Sequence, residues 1–78
     1  MARKTIYCVQ PYRREGKKLV GGDLRQFKTE ADARRVGEGT ANRAAGVIVY
    51  EIEGDAEFDD WGEPRMLAVY GDVPEASF

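Results

Sequence analysis

The chain has 78 residues with one cysteine and no histidine, and this composition limits its chemistry before any motif is considered. A chain of this length forms one small domain, here residues 1–78, and buries only about 60% of its unfolded surface. The composition excludes a disulfide framework and a serine–histidine–aspartate triad. No segment approaches the roughly 20 apolar residues that span a bilayer, and the charged N-terminus has no apolar run behind it. Together with the single thiol, these features predict a cytoplasmic protein.

The charged residues are divided unevenly along the chain, although the net charge is only −2. Residues 1–45 carry eleven of the twelve basic residues against five acidic ones. Residues 46–78 carry Arg65 against nine acidic residues. Such a division indicates either a basic face for a polyanion or two halves that complement each other, within or between chains.

The first part of the chain predicts a β-hairpin with an interrupted second arm. Residues 4–12 are rich in β-branched and aromatic side chains that alternate between two sides. Pro11 predicts that this strand lies at a sheet edge or ends early, and Gly16 supplies the turn. Gly21 and Gly22 then predict a bulge or bend within the second arm.

A helix is predicted next, from Thr29 as its N-cap to Gly46 as the residue that ends it. Its apolar stripe consists almost wholly of small residues, so we expect the helix to lie close to its sheet. The stripe comprises Ala33, Val36, Gly37, Thr40, Ala41, Ala44 and Ala45.

Residues 47–53 and 65–71 predict a second hairpin, joined by a polar loop. The fold class is therefore α+β with the order ββαββ: a four-stranded, mainly antiparallel sheet with one helix packed on one face. Residues 1–3 and 73–78 are expected to be frayed.

One helix leaves one sheet face uncovered, and an uncovered apolar face predicts an interaction surface. This surface is predicted to comprise six alternating residues: Tyr7, Val9, Val47, Val49, Leu67 and Val69. We expect a homodimer or an unknown protein partner to bury it.

The loop of the second hairpin is strongly acidic, with seven carboxylates between Glu51 and Glu63. Asp55, Glu57 and Asp59 have the spacing that opens an EF-hand loop, but Asp60 and Met66 occupy the positions that need glycine and glutamate. We therefore predict a solvated loop and no metal site, with a weak divalent-cation site as the alternative.

Two aromatic residues lie within this acidic loop. Phe58 and Trp61 are predicted to fold back as a lid over the core rather than to form a contact surface.

A basic cluster offers a second interpretation, nucleic-acid binding through the hairpin of residues 13–18 and the basic face of the helix. Tyr7 and Tyr12 would supply stacking surfaces. The sequence pI of about 5.1 argues against it. The residues expected to contact a polyanion are Arg13, Arg14, Lys17, Lys18, Arg34 and Arg35.

Nothing in the sequence predicts catalysis or a cofactor. Cys8 lies in the middle of a strand with no histidine to activate it, and the glycines match neither the P-loop nor the dinucleotide-binding fingerprint. We expect a non-enzymatic protein-interaction or self-associating, homodimeric module, with a nucleic-acid-binding domain as the alternative.

Half of the chain resembles the start of a SPOR peptidoglycan-binding domain, which opens with a Tyr-x-Val-Gln strand, then a phenylalanine, a helix and a glycine-led strand. The resemblance implies a fold with a second helix, which this sequence lacks, and an added hairpin arm separates Gln10 from Phe27. We therefore do not assign the chain to that family. The matching residues are Tyr7, Val9, Gln10, Phe27, Ala33, Gly46 and Val47.

Overall fold

The computed structural model of the protein describes residues 3–55 and 57–74. These residues form six strands and one helix. The order is β1 (Arg3–Glu15), β2 (Lys18–Gly21), β3 (Arg25–Phe27), α1 (Glu30–Ala41), β4 (Gly46–Asp55), β5 (Asp60–Trp61) and β6 (Arg65–Gly71).

All six strands belong to one curled antiparallel sheet with β1 and β4 at its centre. These two strands pair over ten residues, from Arg3 opposite Asp55 to Tyr12 opposite Gly46. The outer edge of β1 pairs with β2 and then β3, and the outer edge of β4 pairs with β6 and β5. The prediction of an α+β fold with one helix and an antiparallel sheet is confirmed, but the sheet has six strand segments rather than four regular strands.

The interrupted second arm follows from the glycine pair, as predicted. β2 ends at Gly21, and Gly22 leaves the ladder while its N–H donates to the carbonyl of Pro11 at 2.9 Å. The Gln10 side-chain amide donates to the carbonyls of both Pro11 and Gly22, each at 2.9 Å. These bonds satisfy the backbone at the bend, so β3 can resume pairing with β1 at Arg25.

Pro11 does not end β1 or confine it to an edge, and that prediction is wrong. The strand continues to Glu15 and is central. In an antiparallel strand the N–H and C=O of one residue point to the same side, and the Pro11 carbonyl faces Gly22. The missing N–H therefore faces the Gly22 carbonyl, which accepts a hydrogen bond from the Gln10 side-chain amide instead.

The helix begins as predicted and ends earlier than predicted. The Thr29 hydroxyl accepts a hydrogen bond from the Asp32 N–H at 3.2 Å, which caps the first turn. The last helical residue is Ala41, and Asn42 is the C-cap. Gly46 opens β4 instead of ending the helix, because Ala45 already donates its N–H to the Tyr12 carbonyl of the sheet.

The helix packs on the sheet face that carries the valines of β1 and β4. Val9, Val47 and Val49 are at most 1% exposed and form the core with Ala33 of the helix. A side chain on Gly37 would overlap the Cγ2 atom of Val49, so the helix backbone lies directly against the sheet. The predicted close approach is confirmed. It also explains why the helix covers this face of the sheet, because small helical residues leave room for the valines.

The structure describes three of the terminal residues that were expected to be frayed. Arg3, expected to be frayed, pairs with Asp55 and its guanidinium lies 3.5 Å from the Glu53 carboxylate. Val73 and Pro74 are half-buried and belong to no helix or strand. Residues 1, 2 and 75–78, which were also expected to be frayed, lie outside the described residues.

Candidate interaction surface

The predicted interaction surface lies on the wrong side of the sheet. Val9, Val47 and Val49 are buried under the helix, and Tyr7 and Leu67 pack against the same core. Alternation along a strand separates two faces but does not say which one the helix covers. Within the predicted set only Val69 is on the uncovered side, because it pairs with Ile48.

The opposite side of the sheet, here called the free face, is not covered by the helix. Strand pairing places Ile6 beside Ile52, Cys8 beside Tyr50 and Met66 beside Tyr50 on this side. Met66 and Val69 are 39% and 43% exposed, whereas neighbouring side chains of the curled sheet bury Cys8 and Ile48. The free face comprises Ile6, Cys8, Tyr12, Ile48, Tyr50, Ile52, Met66 and Val69.

An open hollow of about 740 Å³ lies in the middle of the free face. Its lining is mostly apolar and includes two tyrosines, one carboxylate and one amide. The lining residues are Gln10, Tyr12, Ile48, Tyr50, Glu63, Pro64 and Met66.

Cys8 and Tyr50 form a polar pair beneath this hollow. Burial raises the pKa of the Cys8 thiol, and its hydrogen bond with Tyr50 offsets part of that rise. Burial raises the pKa of Tyr50 to about 12, with the neighbouring Cys8 and Tyr12 adding to the effect. Both groups are therefore neutral at physiological pH, and a buried neutral thiol is a poor nucleophile.

Most of the predicted polyanion-binding residues are ion-paired to carboxylates. Arg13 lies 2.6 Å from Glu15, and Arg14 lies 2.8 Å from Asp72. The helix pairs Arg34 with Glu30 and Arg35 with Asp32, at 2.7 and 2.9 Å.

Lys17 and Lys18 have no ion pair among the described residues, and both are exposed at the β1–β2 turn. The basic hairpin therefore retains two free lysines, flanked by arginines that are already partly neutralised.

The acidic loop is closed by a hydrogen bond from the Gly62 N–H to the Glu53 carbonyl at 2.9 Å, and it holds no metal cluster within the described part of the chain. Asp55 is buried, and its carboxylate accepts the Glu57 N–H at 3.0 Å, which starts the turn. Among the described residues, no three carboxylates or thiols are grouped closely enough to hold a metal ion.

Phe58 and Trp61 do not act together as a lid. Phe58 is 70% exposed, which contradicts its predicted position over the core. Trp61 is half-buried and lies in β5 directly opposite Gly54, whose position leaves no space for a side chain. Trp61 thus packs at the end of the free face, while Phe58 points away from any core.

The antiparallel pairing of β1 with β4 separates positive and negative charge along the molecule. The basic end is the β1–β2 turn, residues 13–18. The acidic end lies at the opposite end of the same strands and consists of residues 53–55 and 57–63, whose six carboxylates outnumber the neighbouring Arg3 and Lys4 of β1. The longest dimension of the molecule is 45 Å, several times the roughly 8 Å over which physiological salt screens charge. Each end therefore presents its own charge to a partner.

The chain matches no protein-family model, and no curated protein or solved structure is significantly similar to it. No helix of the described residues is long and apolar enough to cross a membrane.

Proposed function

We propose that the protein is a non-enzymatic interaction module that binds another protein surface, a second copy or an unknown partner, through the free face. The observation that carries the proposal is the exposure of Met66 and Val69 beside the hollow, on a sheet face that the helix leaves uncovered. Contiguous exposed apolar residues on a small domain are typical of association surfaces. The low reactivity expected of buried Cys8 supports the non-enzymatic part of the proposal.

The test is to place a charge on the free face and measure binding. Met66→Glu and Val69→Glu put a carboxylate in the centre of the surface without entering the core, so both variants should fold and lose association. Leu24→Glu is the matched control, because Leu24 is 44% exposed and lies between β2 and β3 at the sheet edge. Light scattering after size exclusion measures self-association, and quantitative capture on immobilised chain measures other partners. Binding that survives both free-face variants would overturn the proposal.

Nucleic-acid binding is a second candidate, and the free ammonium groups of Lys17 and Lys18 favour it. It predicts binding of single-stranded DNA or RNA that weakens steeply with salt. Fluorescence anisotropy at low salt, with Lys17→Glu/Lys18→Glu as the comparison, decides it. Absence of binding at low salt would remove this candidate.

A further inference from the structure

We propose that the occupant of the free face is a second copy of the same chain, turned so that the acidic end of each copy lies over the basic end of the other. The two-fold axis of this dimer lies between the two sheets and perpendicular to their strands. The inference rests on the proposed function, because it names the partner of the free face. It goes further by fixing the orientation of that partner.

Charge that the chain does not neutralise internally is the first argument. Among the described residues, four of the six ion pairs join residues of the same half of the chain, and the other two, Arg3–Glu53 and Arg14–Asp72, join the two halves. Glu57, Asp59, Asp60 and Glu63 have no ion pair among the described residues, and neither do Lys17 and Lys18. The sequence asymmetry therefore persists in the folded chain as two ends of opposite charge.

The orientation follows from where these ends lie. A two-fold axis along the strands would place like ends together, acidic on acidic and basic on basic, which costs free energy. An axis perpendicular to the strands reverses one copy, so each acidic end meets a basic end. In this closed dimer, each charged end of one copy lies against the end of opposite charge in the other copy.

The apolar centre fits the same operation. Along β4, Met66 lies at the level of Tyr50 and Val69 at the level of Ile48. The two-fold axis passes between these two levels, at Val49. This point is close to the middle of β1, because Val9, the central residue of β1, pairs with Val49. It brings Met66 of each copy opposite Val69 of the other. The two most exposed side chains of the free face then bury each other beside the hollow.

The shape of the molecule provides room for a second copy. Its extents are 45 × 24 × 17 Å, so the free face is long and narrow and a reversed copy can extend along its whole length.

A charge-swap experiment on the full chain tests both the partner and its orientation. One variant, Lys17→Glu/Lys18→Glu, makes the basic end acidic. A second variant, Glu57→Lys/Asp59→Lys/Asp60→Lys/Glu63→Lys, makes the acidic end basic, and a third carries all six substitutions. The six wild-type side chains concerned are exposed, so the variants should fold, and circular dichroism checks this.

Sedimentation equilibrium at low salt should give twice 8.7 kDa for the wild type. Each variant with one end reversed should raise the dimer dissociation constant by at least about tenfold, because like charges now face each other. The variant with both ends reversed should restore dimerisation, and so should an equimolar mixture of the two variants with one end reversed. High salt should reduce all these differences.

Three results would overturn the inference. A wild-type monomer at high micromolar concentration would remove the second copy; if capture of another protein still depended on Met66 and Val69, the proposed function would stand with a different partner. Dimers that respond to neither charge reversal would contradict the orientation. A mass that grows beyond two chains would indicate open head-to-tail association instead of a closed dimer.

Discussion

Two glycines of the helix, Gly37 and Gly39, look alike in the sequence and have different environments in the structure. A Cβ on Gly37 would overlap Val49 Cγ2, whereas a Cβ on Gly39 would meet nothing within 4 Å. Gly37 therefore permits the contact between helix and sheet. Gly39 only lowers helix propensity.

We expect Gly37→Ala to destabilise the protein by about 1–3 kcal/mol, because the overlap with Val49 outweighs the gain in helix propensity. Gly39→Ala is the matched control and should stabilise it by about 0.5–1 kcal/mol. Urea unfolding followed by circular dichroism measures both. Equal shifts of the same sign would show that the helix does not lie against Val49.

The pair of Cys8 and Tyr50 makes stability depend on pH in the alkaline range. A tyrosine of the unfolded chain ionises near pH 10, and the folded environment raises the pKa of Tyr50 to about 12. The folded state therefore favours neutral Tyr50. Its contribution is complete below about pH 10 and is lost as the pH rises through 12.

We expect the free energy of unfolding to fall between pH 10 and 12, and to fall less in Tyr50→Phe. Spectroscopic titration should show a tyrosine ionisation near pH 12 that is missing from the variant. A wild-type titration with no such ionisation would contradict the assignment.

At the scale of elements, the helix is short and depends on its first turn. Its twelve residues include two glycines, and its last turn has no basic residue to complement the helix dipole. The bond from the Asp32 N–H to the Thr29 hydroxyl is therefore a substantial part of its local stability.

Thr29→Ala should lower the free energy of unfolding by about 1 kcal/mol, because a donor of the first turn loses its acceptor. Thr29→Asp keeps an acceptor at the same position and should remain near wild type. Thermal unfolding of the three proteins under one condition makes the comparison. A Thr29→Asp variant as unstable as Thr29→Ala would show that the cap is not the cause.

At the scale of the whole molecule, a single helix covers only one side of the sheet. A chain of 78 residues gains little stability from so small a core, so burial of the free face would add a large fraction of the total. Stability and association are then linked by mass action.

The midpoint of thermal unfolding should therefore rise with protein concentration for the wild type. Val69→Glu should show a lower midpoint that does not change with concentration, because its monomer has lost the apolar contact. Differential scanning calorimetry over a hundredfold concentration range measures this. A constant wild-type midpoint would show that the folded monomer is stable without a partner.

The sequence by itself determined the local features of this protein. The Thr29 cap, the turn at Gly16, the interruption at Gly21 and Gly22 and the position of the helix before β4 were all predicted. These features depend on residues close together in the chain, on dihedral preferences and on short hydrogen bonds.

Only the tertiary structure decided which face the helix covers and how far β1 extends. Strand periodicity is symmetric between the two faces, and the choice depended on the fit of Gly37 against Val49. Pro11 was tolerated in a central strand because the Gln10 side-chain amide donates to the Gly22 carbonyl in place of the missing N–H. Such outcomes depend on contacts between residues that are distant in the chain. The sequence therefore predicted an uncovered apolar sheet face, but it assigned to that face residues that mostly lie under the helix.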